Sequence, residues 1–159
     1  MRSTFLASFL FALCAAPTAV AQTPATEPAA VAATTVQTQG MYRSQAQPAW
    51  LPGSRQPLAT GPTHYLYLRF YPDGRVISVS STGTPEQIAG WFDHTHDGVS
   101  QGRYRIEGDR LHFSTRSGAG SVDYDGRIDA DTLQLNSHSH INGRDNTHTL
   151  RFVAMPEQP

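Results

Sequence analysis

Between His64 and Val153, apolar and polar residues alternate with a period of two, and turn residues interrupt the alternation at regular intervals. The run His64–Tyr71 places Leu66, Leu68 and Phe70 on one face, and Pro72-Asp73-Gly74 ends it as a turn. Arg75–Ser81 returns as a strand with Ile77 and Val79 on one face. Gly102–Ile106 and Arg110–Arg116 read as a hairpin around Glu107-Gly108-Asp109, with Tyr104 and Ile106 facing Leu111 and Phe113. Ser121–Asp129 and Thr132–His140 read as another around Asp129-Ala130-Asp131, with Val122, Tyr124, Ile128, Leu133 and Leu135 inward. A last strand from about Thr147 to Val153 carries His148, Leu150 and Phe152 on one face. Upstream, Gly40–Arg43 predicts a short first strand, and 45–63 is a proline- and glycine-rich loop anchored by Trp50 and Leu51.

One helix breaks the series of strands. Thr84-Pro85-Glu86-Gln87 combines an N-cap threonine, proline at the first helical position and glutamine at N3, the pattern of a capping box. Ile88, Trp91 and Phe92 follow at i, i+3 and i+4, one apolar face about two turns long. A helix that short persists only if this face packs on something. The expectation is a lid over one end of the strands, spanning about 85–92.

Seven or eight half-apolar strands joined by tight hairpins predict an all-β fold closed on itself. Near-neighbour connections throughout favour an up-and-down antiparallel β-barrel over 40–155, with a sandwich as the alternative. In such a meander the connections alternate between the two ends. The tight turns 72–74, 107–109 and 129–131 gather at one end, and 45–63, 83–101, 117–120 and 141–146 at the other. Function on small barrels concentrates where long loops leave a rigid frame. His64, His94, His96, His138, His140 and His148 all fall at that same mouth, while His112 sits mid-strand on the solvent side.

The amino terminus carries a different pattern. Met1-Arg2, an apolar run from Phe5 to Ala16 and the triplet Ala19-Val20-Ala21 together form a secretory signal over 1–21, too short to span a bilayer. Leu13 before Cys14 does not suit a lipoprotein cleavage site. Loss of Cys14 with the signal leaves no cysteine, hence no disulfide or thiolate site. Residues 22–39 hold no aromatic and one charge, and read as a disordered Ala/Thr/Pro/Gln linker. Residues 156–159 form a tail. The expected location is the periplasm or the outside, with no transmembrane segment in the mature chain.

Charge removes one class of partner. There is no lysine, and removal of Arg2 leaves 11 scattered arginines against 13 acids, which offers no basic stripe for nucleic acid. Asp93-His94-Thr95-His96-Asp97 and His138-Ser139-His140 are H-x-H pairs, and His148 lies beyond them. Strand neighbours at i and i+2 share a face, so such pairs suit Zn²⁺, Cu²⁺ or Ni²⁺, with zinc the cofactor this pattern would hold. Parity opposes the simplest version, because His138 and His140 point outward while His148 points inward. A bulge near Ser137 would be needed to unite them. A polar histidine rim is the plainer reading. Ile88, Trp91 and Phe92, with Trp50, would instead cover an apolar pocket, although Phe70, Tyr104, Phe113, Tyr124 and Phe152 are bulky enough to fill the interior. No nucleophile elbow, phosphate loop or zincin motif occurs, so an enzyme is not expected.

Tyr65-Leu-Tyr-Leu-Arg-Phe-Tyr-Pro-Asp-Gly74, Val76, Thr84-Pro85-Glu86 and Gly102-Arg-Tyr-Arg-Ile-Glu-Gly-Asp-Arg-Leu111 resemble the carboxy-terminal β-domain of F-box only proteins. The similarity covers roughly 64–113. It implies a lipocalin-like barrel used as a recognition module. No F-box is present, so the ubiquitin-ligase role does not carry over. The whole domain resembles lipocalin-like (calycin-type) secreted bacterial proteins of unassigned function. Gly40-Met41-Tyr42 stands where lipocalins open with G-x-W, which separates this chain from true small-ligand transporters. These readings converge on an exported, non-enzymatic binding or interaction module for a protein or small ligand. A zinc-type site at the histidine mouth and a carrier of a small apolar ligand are the alternatives.

Overall fold

A computed structural model describes residues 35–50, 56–58, 60–93, 95 and 98–155. The signal, Cys14, most of the linker, His94, His96 and the tail lie outside the described residues. The chain forms strands β1 (Gly40–Ser44), β2 (Gln47–Pro48), β3 (Thr63–Phe70), β4 (Arg75–Ser81), β5 (Ser100–Glu107), β6 (Arg110–Ser117), β7 (Gly120–Asp129), β8 (Thr132–Ser139) and β9 (Arg144–Ala154). Neighbours in sequence pair antiparallel from β3 to β9. β1 then pairs with β9 on one side and β3 on the other, which closes the expected up-and-down barrel of eight strands. The two-residue β2 lies beside the start of β3.

Closure rests on a short ladder. Against β3, β1 contributes only Tyr42↔Leu68 and Arg43↔Tyr67 in register. One step further the Ser44 hydroxyl accepts from the Leu66 backbone N–H at 2.9 Å and so extends the seam with a side chain. The wall also curls tightly. A Cβ on inner-facing Gly102 would lie 1.8 Å from the Ser114 carbonyl oxygen, and one on Gly126 1.9 Å from that of Gln134. Only glycine tolerates neighbouring backbones that close, as at the bends of small barrels.

Inside, aromatic rings fill the lower and middle barrel. Phe113 stacks on Tyr124 at 4.6 Å, and Phe70 meets Tyr104, Phe113 and Tyr42 edge to face at 5.1, 5.6 and 5.7 Å. Each such pair adds about 0.5–1.5 kcal/mol beyond area burial. The lower end is closed from upstream of the expected domain start. Val36 is 4% exposed and packs in this core, and the Gln37 N–H donates to the Tyr42 hydroxyl at 2.9 Å. The last part of the expected linker is therefore fixed to the barrel, because one valine buried at its foot offsets ordering of a few residues.

The helix is not a lid. Pro85–Ile88 is one α-turn with the expected capping box, continued by a 3₁₀ turn over Ala89–Phe92. Ile88 and Phe92 pack with Met41, Tyr67, Ile77 and Val79, a second cluster separate from the interior. Those four strand residues alternate with the inward Tyr42, Leu68 and Val76, so the helix lies on the barrel's outer wall. The Tyr67 hydroxyl donates to the Gly83 carbonyl at 2.7 Å, and the Tyr71 hydroxyl to that of Phe92. Val76-Ile77-Ser78-Val79 is apolar on both faces, and burial of the outer one requires a cover. Trp91 is 49% exposed and packs on neither cluster. Ile88→Ala should therefore cost about 2–4 kcal/mol in urea unfolding. Trp91→Ala should stay within about 0.5 kcal/mol. Equal losses would contradict this placement.

Candidate functional site

At the upper end, where β1 ends and β3, β7 and β9 begin, the inward positions change from large apolar to small polar residues. Ser44, Ser78, Thr115, Ser137 and His148 are all buried there. The Ser78 and Tyr124 hydroxyls lie 3.3 Å apart. His148 is 6% exposed, and its Nε2 is 2.8 Å from Ser137 Oγ. Its Nδ1 is 2.7 Å from Gln47 Nε2, which β2 brings over the mouth. Thr115 is 1% exposed, and its hydroxyl makes at most a poorly aligned contact with the Tyr124 phenol. The result is a cluster of buried hydroxyls above an aromatic floor.

Burial lowers the His148 pKa from the usual 6.5 to about 4, with the charge of His64 acting in the same direction. The ring is neutral at physiological pH and can donate once and accept once. With the Gln47 amide nitrogen donating to Nδ1, Nε2 carries the proton and donates to Ser137 Oγ. The serine hydroxyl then keeps its own proton for another acceptor. Burial likewise raises the Tyr124 phenol, so it stays protonated and can donate.

The expected histidine set is divided. His138 and His140 lie on the outer wall with their rings 4.8 Å apart. His138 Nδ1 pairs with Asp145 at 2.8 Å, and His140 Nε2 with Asp123 at 2.7 Å. The hydrogen bond from His140, followed by one from Ser114 at 2.6 Å, holds the Asp123 carboxyl below its usual range. His148 faces the interior. The β8 ladder runs unbroken from Thr132 to Ser139 against both neighbours, so no bulge turns these histidines toward one another. Among the described residues no three His, Cys, Asp or Glu side chains converge as a metal set. Of the proposed cover, Ile88 and Phe92 are buried outside the barrel.

A groove of about 470 Å³ crosses the outer wall over β7–β9 and is lined by Asp123, Asp125, Asn136, His138, Asp145 and Thr147. Its groups satisfy one another through His138–Asp145, Asp123–His140 and Thr147–Asn136 at 3.0 Å. Asp125 likewise pairs with Arg110 at 3.0 Å and with His112. This is a solvated polar wall. The upper cluster differs in holding a buried hydroxyl, that of Thr115, without a well-formed hydrogen bond.

Parity alone pointed to Ser137 as inward. Thr115 carries the same signal, a small polar residue at an inward position near a strand's upper end, whereas Ser78 does not, because Val76, Ile77 and Val79 make both faces of its strand apolar. Gln47 carries none, because its place depends on the loop's path. The chain matches no protein-family model, no curated protein sequence and no solved structure, so fold and site are read from its own residues.

The His148 shift makes stability depend on pH. A folded pKa of about 4 against an unfolded 6.5 means the unfolded chain takes up the proton first. Stability is therefore complete above pH 6.5 and falls as the pH drops toward 4, by about 3 kcal/mol at 1.36 kcal/mol per pH unit. His148→Gln should remove this slope in denaturation measured across that window. An unchanged slope would mean that the ring is protonated in the folded protein.

Proposed function

We propose that this chain is an exported, non-enzymatic binding module of lipocalin-like type. Its ligand is small, uncharged and rich in hydrogen-bonding groups, such as a polyol or a sugar unit, and is recognised by the buried polar residues at the upper end. The observation that carries this reading is the buried Thr115 hydroxyl, whose contact with Tyr124 is poorly aligned, in an interior that also buries Ser78, Ser137 and His148. Leaving a buried hydroxyl unpaired costs about 1–3 kcal/mol. A ligand that pairs with it recovers that cost on binding.

The lining supports an uncharged ligand. Ser44, Ser78, Thr115, Ser137, a neutral imidazole and a protonated phenol supply donors and acceptors without net charge. A carrier of a purely apolar ligand fits less well, since the apolar half of the interior is occupied by aromatic rings. Binding is also favoured over catalysis. An imidazole with a pKa of about 4 is a weak base, and it donates to Ser137 rather than accepting from it. At the mouth Arg144 lies 4.3 Å over the Trp50 ring, a flat surface against which a ligand edge can rest. The secretory pattern over 1–21 supports export. The resemblance of 64–113 to a recognition domain supports a binding role. Among the described residues no helix is long and apolar enough to cross a membrane.

Thr115→Val tests the reading because it keeps the shape and removes the hydroxyl. The unliganded variant should be more stable by about 1 kcal/mol. In a thermal-shift panel, polyols and monosaccharides should raise the wild-type melting temperature while fatty acids do not. The variant should lose most of that response. A response to fatty acids alone, or an equal response in both proteins, would overturn the assignment.

A further inference from the structure

The register places three pairs of arginines directly opposite one another on the outer wall. They are Arg75 with Arg103, Arg110 with Arg127, and Arg43 with Arg151. Like charges in such positions are destabilising. Two of the pairs bring their own acids. Arg75 pairs with Asp73 at 2.6 Å, and Arg103 donates to the Asp73 carbonyl at 3.3 Å. Arg110 pairs with Asp125 at 3.0 Å, and Arg127 with Asp109 at 3.7 Å. The third pair has none. Glu86 is close enough to feel the charge of Arg43, but among the described residues no carboxylate forms an ion pair with Arg43 or Arg151.

These two arginines line a groove of about 400 Å³ between β1 and β9. The Arg43 guanidinium lies flat on the Tyr65 ring, 3.8 Å from its centre, and its Nε is buried without a hydrogen-bond partner. Stacking occupies a face of the fork, and the guanidinium also hydrogen-bonds the Tyr67 hydroxyl, so an acceptor in the groove would take the remaining terminal N–H groups rather than the buried Nε. Thr149 adds a hydroxyl, and Val153 and Ala46 provide an apolar border beside the charges.

We propose that the Arg43–Arg151 groove is a binding site for a phosphate monoester, whose dianion supplies the acids that this arginine pair lacks. A phosphate carries nearly two negative charges at neutral pH and three acceptor oxygens, enough for both forks. A single carboxylate neutralises only one of them. The apolar border takes the carbon next to the ester oxygen. This site shares no proposed ligand contact with the buried polar residues of the upper end, so the two assignments stand or fall independently.

The full chain titrated with phenyl phosphate, inorganic phosphate and benzoate, followed by NMR of the arginine Nε–H signals, tests the proposal. Phenyl phosphate should shift Arg43 and Arg151 with a Kd of about 1 mM or tighter at low salt. Benzoate should bind at least roughly tenfold more weakly, as should phenyl phosphate to Arg151→Gln. Arg151 is exposed, so this variant folds, and relief of repulsion should raise its melting temperature without ligand. Arg43→Lys keeps the charge, loses the fork, and should bind more weakly too. Phosphatidate vesicles identify the source. Sedimentation with them that Arg151→Gln abolishes assigns the phosphate to a lipid headgroup, whereas binding of phenyl phosphate alone assigns it to a soluble ester. Absence of shifts at both arginines, equal affinity for benzoate, or unchanged affinity in Arg151→Gln would overturn the proposal.

Discussion

Everything in this molecule depends on β1 holding two neighbours at once. Its backbone pairs with β9 over Gly40–Ser44, while Tyr42, Arg43 and the Ser44 hydroxyl hold β3. Without that seam the sheet would be open, with two long unpaired edges. With it, every strand acquires an inside and an outside. The same closure sets Met41 outward toward the helix and Tyr42 inward among the rings. It also leaves Arg43 facing Arg151 across the outer groove.

The barrel uses its two ends and two walls differently. Val36 and the aromatic network close the lower end, so the large apolar side chains are spent on stability. The upper end is lined with small polar residues that are buried, where each hydrogen bond is stronger than in solvent. On the outside, the wall of β1, β3 and β4 is apolar and covered by a short helix that could not persist alone. The wall of β6–β9 is a lattice of His–Asp and Arg–Asp pairs that satisfy one another in solvent. Such exposed pairs contribute little stability each, about 0–1 kcal/mol.

The histidines illustrate how parity governs chemistry. His138, His140 and His148 lie within eleven residues of chain, yet the first two reach solvent and aspartates while the third is buried and neutral. Sequence spacing made them look like one set. Strand alternation, undisturbed by a bulge, divides them between two sides of one wall.

Period-two alternation and regular turns predicted seven or eight antiparallel strands and favoured a closed barrel over a sandwich, because both signals are local and each hairpin is specified by its own residues; the two-residue β2 left no such signal. The capping box at Thr84–Gln87 was legible for the same reason. Where the helix packs was not, since Val76-Ile77-Ser78-Val79 is apolar in both parities and only assembly of β1, β3 and β4 shows which side lacks a cover. The Gln47–His148 contact, the burial of Val36 and the unneutralised Arg43–Arg151 pair each join residues far apart in the chain. Tertiary closure alone decided them, because cross-strand register, and with it every long-range neighbour, exists only once the two ends of the sheet have met.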